Sequence, residues 1–165
     1  MKYEIIPMTE SHWEPARAIF EEGLNTGGAS FETSVPSWEE WNDTHLPDCR
    51  LVAWSGKDIL GWAALSPVSD RCVYAGVAEV SVYVGETYRG LGIGFDLLTS
   101  LIQESENNGI WTLQAGIFPE NKASVDLHLK SGFKIVGKRE RLGKLNGVWR
   151  DVLFLEHRST KVGVD

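Results

Sequence analysis

Residues 89–94 read Arg89-Gly90-Leu91-Gly92-Ile93-Gly94, and this run decides what the chain around it builds. Three glycines at alternate positions leave the backbone bare, so successive N–H groups can turn into one concavity. Upstream, Val77–Val84 (VAEVSVYV) is a β-branched run that reads as a strand. Downstream, Ile93, Leu97, Leu98, Leu101 and Ile102 recur at helical spacing and predict a helix from about Gly92 to Asn107. Strand, bare turn and helix start, in that order, put unpaired amides at the positive end of a helix dipole. Such a corner suits a pyrophosphate.

Two nucleotide motifs do not fit. A P-loop closes on Gly-Lys-Ser/Thr, whereas Phe95-Asp96 follow Gly94 here. A dinucleotide fingerprint needs G-x-G-x-x-G in the first strand–helix unit. This chain has G-x-G-x-G in its middle, with no acid ending the next strand to hold a ribose.

Outward from the turn, strand and helix signals alternate. Lys2–Pro7 reads as a strand. Ser11-His12-Trp13-Glu14 has capping-box spacing and opens a helix with Trp13, Ala16, Ile19, Phe20 and Leu24 on one side. Asn25–Ser30 is a loop, and Ser37-Trp38-Glu39-Glu40 opens a second, short helix that ends before Pro47. Arg50–Trp54 and Ile59–Leu65 form a hairpin around Ser55-Gly56-Lys57-Asp58, followed by a loop from Ser66 to Gly76. After the central helix come a strand at Trp111–Phe118, a helix at Asn121–Lys130 stopped by Gly132, and a strand pair, Phe133–Arg141 and Val148–Glu156, turned at Asn146-Gly147. The expected fold is α/β: a mixed, mostly antiparallel twisted sheet flanked by four helices, as one domain over residues 1–165.

Composition narrows the class. The chain has 165 residues, 42% hydrophobic, enough to bury a core, and no apolar stretch approaches the ~20 residues of a membrane span. A net charge of −7 weighs against nucleic acid as partner. Met1–Pro7 carries no apolar signal region, and the two cysteines, Cys49 and Cys72, are too far apart in sequence for a metal knuckle. They read as free thiols, and the protein is expected in the cytoplasm, without a metal and without a membrane partner.

The motifs together carry a resemblance. Arg89–Gly94 is similar to the R/Q-x-x-G-x-G/A signature of the GNAT superfamily of acetyl-CoA-dependent N-acetyltransferases. Asn121-Lys122-Ala123-Ser124, Leu127-His128 and Gly132-Phe133 resemble that superfamily's second motif. More narrowly, Arg71-Cys72-Val73-Tyr74, Glu79-Val80-Ser81-Val82-Tyr83-Val84 and Gly147-Val148-Trp149-Arg150-Asp151-Val152 resemble the phosphinothricin and methionine sulfoximine acetyltransferases. Val73 stands where that family has alanine and Val77 where it has threonine, both beside the acceptor pocket.

The resemblance implies acetyl-CoA as co-substrate and direct transfer of its acetyl group to a small-molecule amine. The backbone of Val82, Tyr83 and Val84 would pair with the pantetheine arm. The amides of Gly90, Leu91, Gly92, Ile93, Gly94 and Phe95 would cap the pyrophosphate, and Asn121 would contact the coenzyme besides capping its helix. Arg89 has two open roles, phosphate contact or bracing of the loop.

Glu79 is the expected general base, because an amine must be neutral to attack. His128 is either the proton donor to the leaving thiolate or a helix-surface histidine. Phe31, Glu32, Arg71, Cys72, Val73, Tyr74, Val80 and Ser81 are expected around the acceptor, with Arg71 suited to a carboxylate or phosphinate. A homodimer is implied as well. The alternatives are another amine (polyamine, aminoglycoside or protein N-terminus) or a non-catalytic acyl-CoA-binding protein.

Overall fold

The strand signals become β1 (Glu4–Pro7), β2 (Arg50–Trp54), β3 (Ile59–Pro67), β4 (Val77–Val84), β5 (Thr112–Ile117), β6 (Lys134–Leu145) and β7 (Val148–Arg158). The helices are α1 (Trp13–Asn25), α2 (Trp38–Thr44), α3 (Ile93–Asn107) and α4 (Lys122–Lys130). These come from a computed structural model that describes residues 1–165. All seven strands join one sheet in the order β1-β2-β3-β4-β5-β7-β6. Every neighbouring pair is antiparallel except β4–β5. A parallel neighbour cannot be reached by a tight turn, so α3 fills the connection between them.

Side-chain alternation sorts the two faces. Ala78 and Val80 of β4 pack with Leu97, Leu98 and Leu101 of α3 in the larger core cluster. The opposite face carries Trp62 of β3 against Phe20 of α1 and Trp41 of α2. Tyr83 belongs to this second face, stacked 5.0 Å from Trp62 and 4.9 Å from Phe20. The odd-numbered residues of β4 therefore look toward α1 and the even-numbered ones toward α3.

Two local expectations are corrected. Ser11 does not cap the first helix. The chain first makes a short 3-10 turn over Glu10–His12, and His12 Nδ1 accepts from the Thr9 N–H at 3.0 Å, taking the place foreseen for Glu14. α1 then starts at Trp13 with no side-chain cap. The last hairpin is also longer than its pattern. β6 runs on to Leu145 through a bulge between Arg139 and Gly143, where Arg141 takes a φ of 46°. The Asp151 carboxylate accepts from the Arg141 N–H at 2.9 Å, which satisfies the group the bulge would leave unpaired. The turn at Asn146-Gly147 is as expected, with φ values of 51° and 80°, both positive as a type I′ turn requires.

Candidate active site

β4 and β5 part company in mid-sheet. Their parallel register covers Val77–Thr112, Ala78–Leu113 and Glu79–Gln114, and no later pair exists. Beyond Glu79, β4 continues beside β3 alone while β5 continues beside β7. A wedge opens between them. It widens into a cleft of about 920 Å³, walled by β4, β5, the starts of α3 and α4, and the loop after α1.

One hydrogen bond fixes which peptide groups face this wedge. The Gly85 N–H donates to the Leu60 carbonyl at 2.8 Å, and the register continues Gly61–Val84, Trp62–Tyr83, Ala63–Val82. In an antiparallel ladder hydrogen-bonded and non-bonded pairs alternate. The backbone of Tyr83 and Ser81 is thus turned to β3, and that of Val82 and Val84 is turned to the cleft. Arg89 takes up one of these groups, its Nε donating to the Val84 carbonyl at 3.5 Å.

At the wide end lies the glycine turn. Gly90 and Gly92 have φ values of 78° and 85°, a region an L-residue enters only with strain, and Gly92 is the N-cap of α3. None of the six backbone N–H groups from Gly90 to Phe95 donates to another group of the protein. The side-chain cations at this end are Arg89 and Lys130, the latter 4.5 Å over the Phe95 ring. Six free amides, a helix dipole and two cations fit a diphosphate.

The pattern of the acetyltransferase (GNAT) family, matched over residues 8–133, agrees with this geometry. The chain belongs to that family. It is 30% identical over 132 residues to the L-methionine sulfoximine/L-methionine sulfone acetyltransferase of Pseudomonas aeruginosa, covering 70% of this chain and 77% of that one. It is 31% identical over 161 residues to the phosphinothricin N-acetyltransferase of Streptomyces coelicolor, covering 93% of this chain and 94% of that one. The crystal structure of a GNAT phosphinothricin acetyltransferase from Sinorhizobium meliloti in complex with acetyl-CoA superposes with a TM-score of 0.86 at 24% identity. It covers 100% of this chain and 92% of that one, and shows the shared fold.

In this N-acetyltransferase the expected site residues are distributed unevenly. Glu79, Val80, Ser81, Val82, Tyr83, Val84, Arg89, Gly90, Gly92, Ile93, Gly94, Phe95, Asn121, His128 and Phe31 all line the cleft. Glu79 stands at the apex of the wedge, on the face of β4 that carries Tyr83. Glu32 lies just outside the lining, and partial desolvation raises its carboxyl above the ordinary range.

The remaining expected residues differ in what they present to the cleft. Tyr83 has its peptide groups committed to β3, so only Val82 and Val84 present backbone to the cleft. Leu91 is exposed and contributes to the turn only its free backbone N–H. Arg71, Cys72, Val73 and Tyr74 form an exposed 3-10 turn outside the cleft, with the Arg71 guanidinium 5.5 Å over the Tyr74 ring. That stacking gives Arg71 a local partner which the sequence pattern does not reveal.

His128 is 4% exposed and is not a surface residue. Its Nδ1 lies 2.7 Å from the Ser124 carbonyl, which can only accept, so the proton sits on Nδ1 and Nε2 carries the lone pair. Burial lowers its pKa, which favours the neutral ring. A neutral ring in this tautomer has no Nε2 proton to donate. Asn121 is likewise engaged: its Oδ1 accepts from the Ser124 N–H at 3.2 Å and its Nδ2 donates to the Gly28 carbonyl at 3.1 Å.

Sequence reading missed the floor and roof of the cleft. Ala115, Ile117 and Phe118 of the β5 edge, Leu142 and Val152 of the last hairpin, and Gly28–Ser30 of the loop after α1 all line it. Their roles depend on contacts between segments remote in sequence, and no local motif signals them. No group of three or more His, Cys, Asp or Glu side chains comes together as a metal site would require. No helix is long and apolar enough to cross a membrane.

Proposed function

We propose that this protein uses acetyl-CoA to acetylate the amine of an amino-acid-like small molecule, of the phosphinothricin or methionine sulfoximine type, by direct attack. The observation that carries the coenzyme assignment is the run of six unpaired N–H groups from Gly90 to Phe95 at the start of α3. The acceptor class rests on the two curated relatives, whose names give those substrates.

The coenzyme supplies an activated acetyl thioester. The peptide groups of Val82 and the free N–H of Val84 pair with the amides of its arm, as an added strand would, and hold the thioester near the apex of the wedge. Glu79 takes the proton from the incoming ammonium, directly or through water, and a base of this kind contributes about 10²–10⁴-fold. Neither cysteine lies in the cleft, in keeping with transfer that bypasses an acyl-enzyme. A thiol titrates near ~8.5, so its thiolate departs readily near neutral pH and takes up a proton from water. His128 serves this reading as a buried brace between α4 and Phe133, whose ring centre is 5.0 Å away.

Arg71 completes the site by capturing the acceptor's acidic group, which requires the turn at Cys72–Tyr74 to close toward Glu79. A second reading follows from charge. The acceptor end as it stands carries Glu79 and Glu32 without a facing cation, which favours a polyamine or aminoglycoside.

Thiol release from acetyl-CoA across amines with and without a carboxylate separates the two. Preference for amino-acid analogues, lost in Arg71→Ala, supports the first, and preference for polycationic amines supports the second. We further infer a homodimer working in the cytoplasm. Val148 and Trp149 of β7 are 61% and 53% exposed, an apolar surface that a second copy would cover, and light scattering in solution tests it.

A further inference from the structure

We propose that Arg150 is a positioning residue for the acceptor, holding the loop after α1 across the cleft as its outer wall. The proposal rests on the reading above for what occupies that end of the cleft. The loop itself, Thr26-Gly27-Gly28-Ala29-Ser30-Phe31, contains two adjacent glycines and little intrinsic stiffness. Its own hydrogen bonds are local, such as Thr26 Oγ1 to the Gly23 carbonyl at 2.7 Å and Gly28 N–H to Thr26 Oγ1 at 3.1 Å.

What fixes it over the cleft comes from the far side. Arg150 Nη1, from β7 and 123 residues away in sequence, donates to the Gly27 carbonyl at 3.0 Å. Asn121 Nδ2 donates to the next carbonyl, that of Gly28, at 3.1 Å. The Arg150 guanidinium lies 3.9 Å over the Phe118 ring, and Phe118 meets Phe31 edge to face at 5.0 Å. Phe31 in turn lies over Gly143, where a Cβ would come within 3.1 Å of its ring. Hydrogen bond, cation–π contact and aromatic pair thus converge from one arginine onto one loop.

Arg150 is suited to this task and to little else. Its side chain is 19% exposed, its single acidic neighbour, Glu120, is 3.5 Å away and largely in solvent, and it does not itself line the main cleft. Asn121 is different, because it also caps α4 and borders the coenzyme end. An effect of Arg150 on turnover therefore travels through the loop, and falls on the acceptor rather than on the coenzyme.

The test compares Arg150→Ala and Arg150→Lys with the wild type in steady-state kinetics, acetyl-CoA calorimetry and amide hydrogen exchange. Arg150→Ala is expected to raise the acceptor KM at least fivefold and leave the acetyl-CoA Kd within twofold. Exchange should accelerate at least fivefold across residues 26–31 and stay unchanged in α3. Lysine keeps a cation over Phe118 without the fork, so it should recover part of the KM loss. It also carries the comparison if the alanine variant is insoluble. An acceptor KM changed less than fivefold, an acetyl-CoA Kd that rises in step with it, or unaltered exchange in 26–31 overturns the proposal. A wild type inert toward every amine overturns the functional reading instead, and the exchange measurement then decides the role of Arg150 alone.

Discussion

Glu79 and Gln114 are the last residues that β4 and β5 share. One step further the strands separate, so Glu79 stands where the sheet splits and the cleft begins. The same separation turns the Val82 peptide groups and the Val84 N–H to the cleft, so the fold sets a carboxylate and an unpaired strand edge within a few residues of each other.

Replacing Glu79 with glutamine keeps the size and the strand but removes the carboxylate proposed as the base. kcat/KM for the preferred amine should fall by about 10²–10⁴-fold near neutral pH. Activity should recover as pH rises toward the amine's own pKa, and calorimetry should show acetyl-CoA binding as in the wild type. An activity equal to wild type at pH 7 would remove Glu79 from the mechanism.

Gly92→Ala tests the turn. At a φ of 85° the added methyl meets no neighbour, so the penalty is backbone strain alone, about 1–2 kcal/mol. Relief of that strain would rotate the free amides out of their common concavity. Thermal unfolding should show the strain as a lower midpoint, and the acetyl-CoA Kd should rise about tenfold.

How much of this was legible beforehand depends on range. The glycine turn, the helix after it and the Asn146-Gly147 hairpin are written in consecutive residues, and the structure has them where the pattern puts them. The capping error at Ser11 arose because a histidine, outside the usual S/T-x-x-E pattern, reached back to Thr9. Val77–Val84 was readable as a strand. That it parts from β5 after Glu79, which opens the cleft, depends on the divergence of two strands remote in sequence while β5 stays paired with β7 along its whole length. Arg150 and Phe118 could not be connected to the loop after α1, since nothing local marks a partner so remote in sequence.

A buried histidine, His128, and a half-buried one, His45, give the protein a defined response to acid. Burial is the first cause that lowers the pKa of both His45 and His128 below the ordinary histidine value. In the window between the lowered folded value and the unfolded value near ~6.5, the unfolded chain binds more protons. Their contribution to stability is therefore present above pH ~6.5 and lost as pH falls through the folded values. Urea unfolding followed from pH 7.5 to pH 5 should show the midpoint falling, and His128→Asn should flatten that slope.

Arg50 holds α2 in place without a carboxylate partner. It is 7% exposed and donates to Asn42 Oδ1, the His45 carbonyl and the Leu46 carbonyl at 2.5, 2.9 and 2.9 Å, with its guanidinium 5.0 Å over Trp41. Arg50→Met keeps the bulk but strands these acceptors, and should cost about 2–4 kcal/mol. The denaturation midpoint should drop with no change in m-value, and the acetyl-CoA Kd should stay the same in the folded protein.

The most direct measurement is a titration of acetyl-CoA into ¹⁵N-labelled protein, following backbone amides. The largest shifts are expected at Gly90 to Phe95 and at Val82 and Val84, with Tyr83, whose N–H faces β3, moving less. Amides of the glycine turn that stay unmoved at saturating acetyl-CoA, or no binding at all, would contradict a diphosphate held on bare peptide nitrogens.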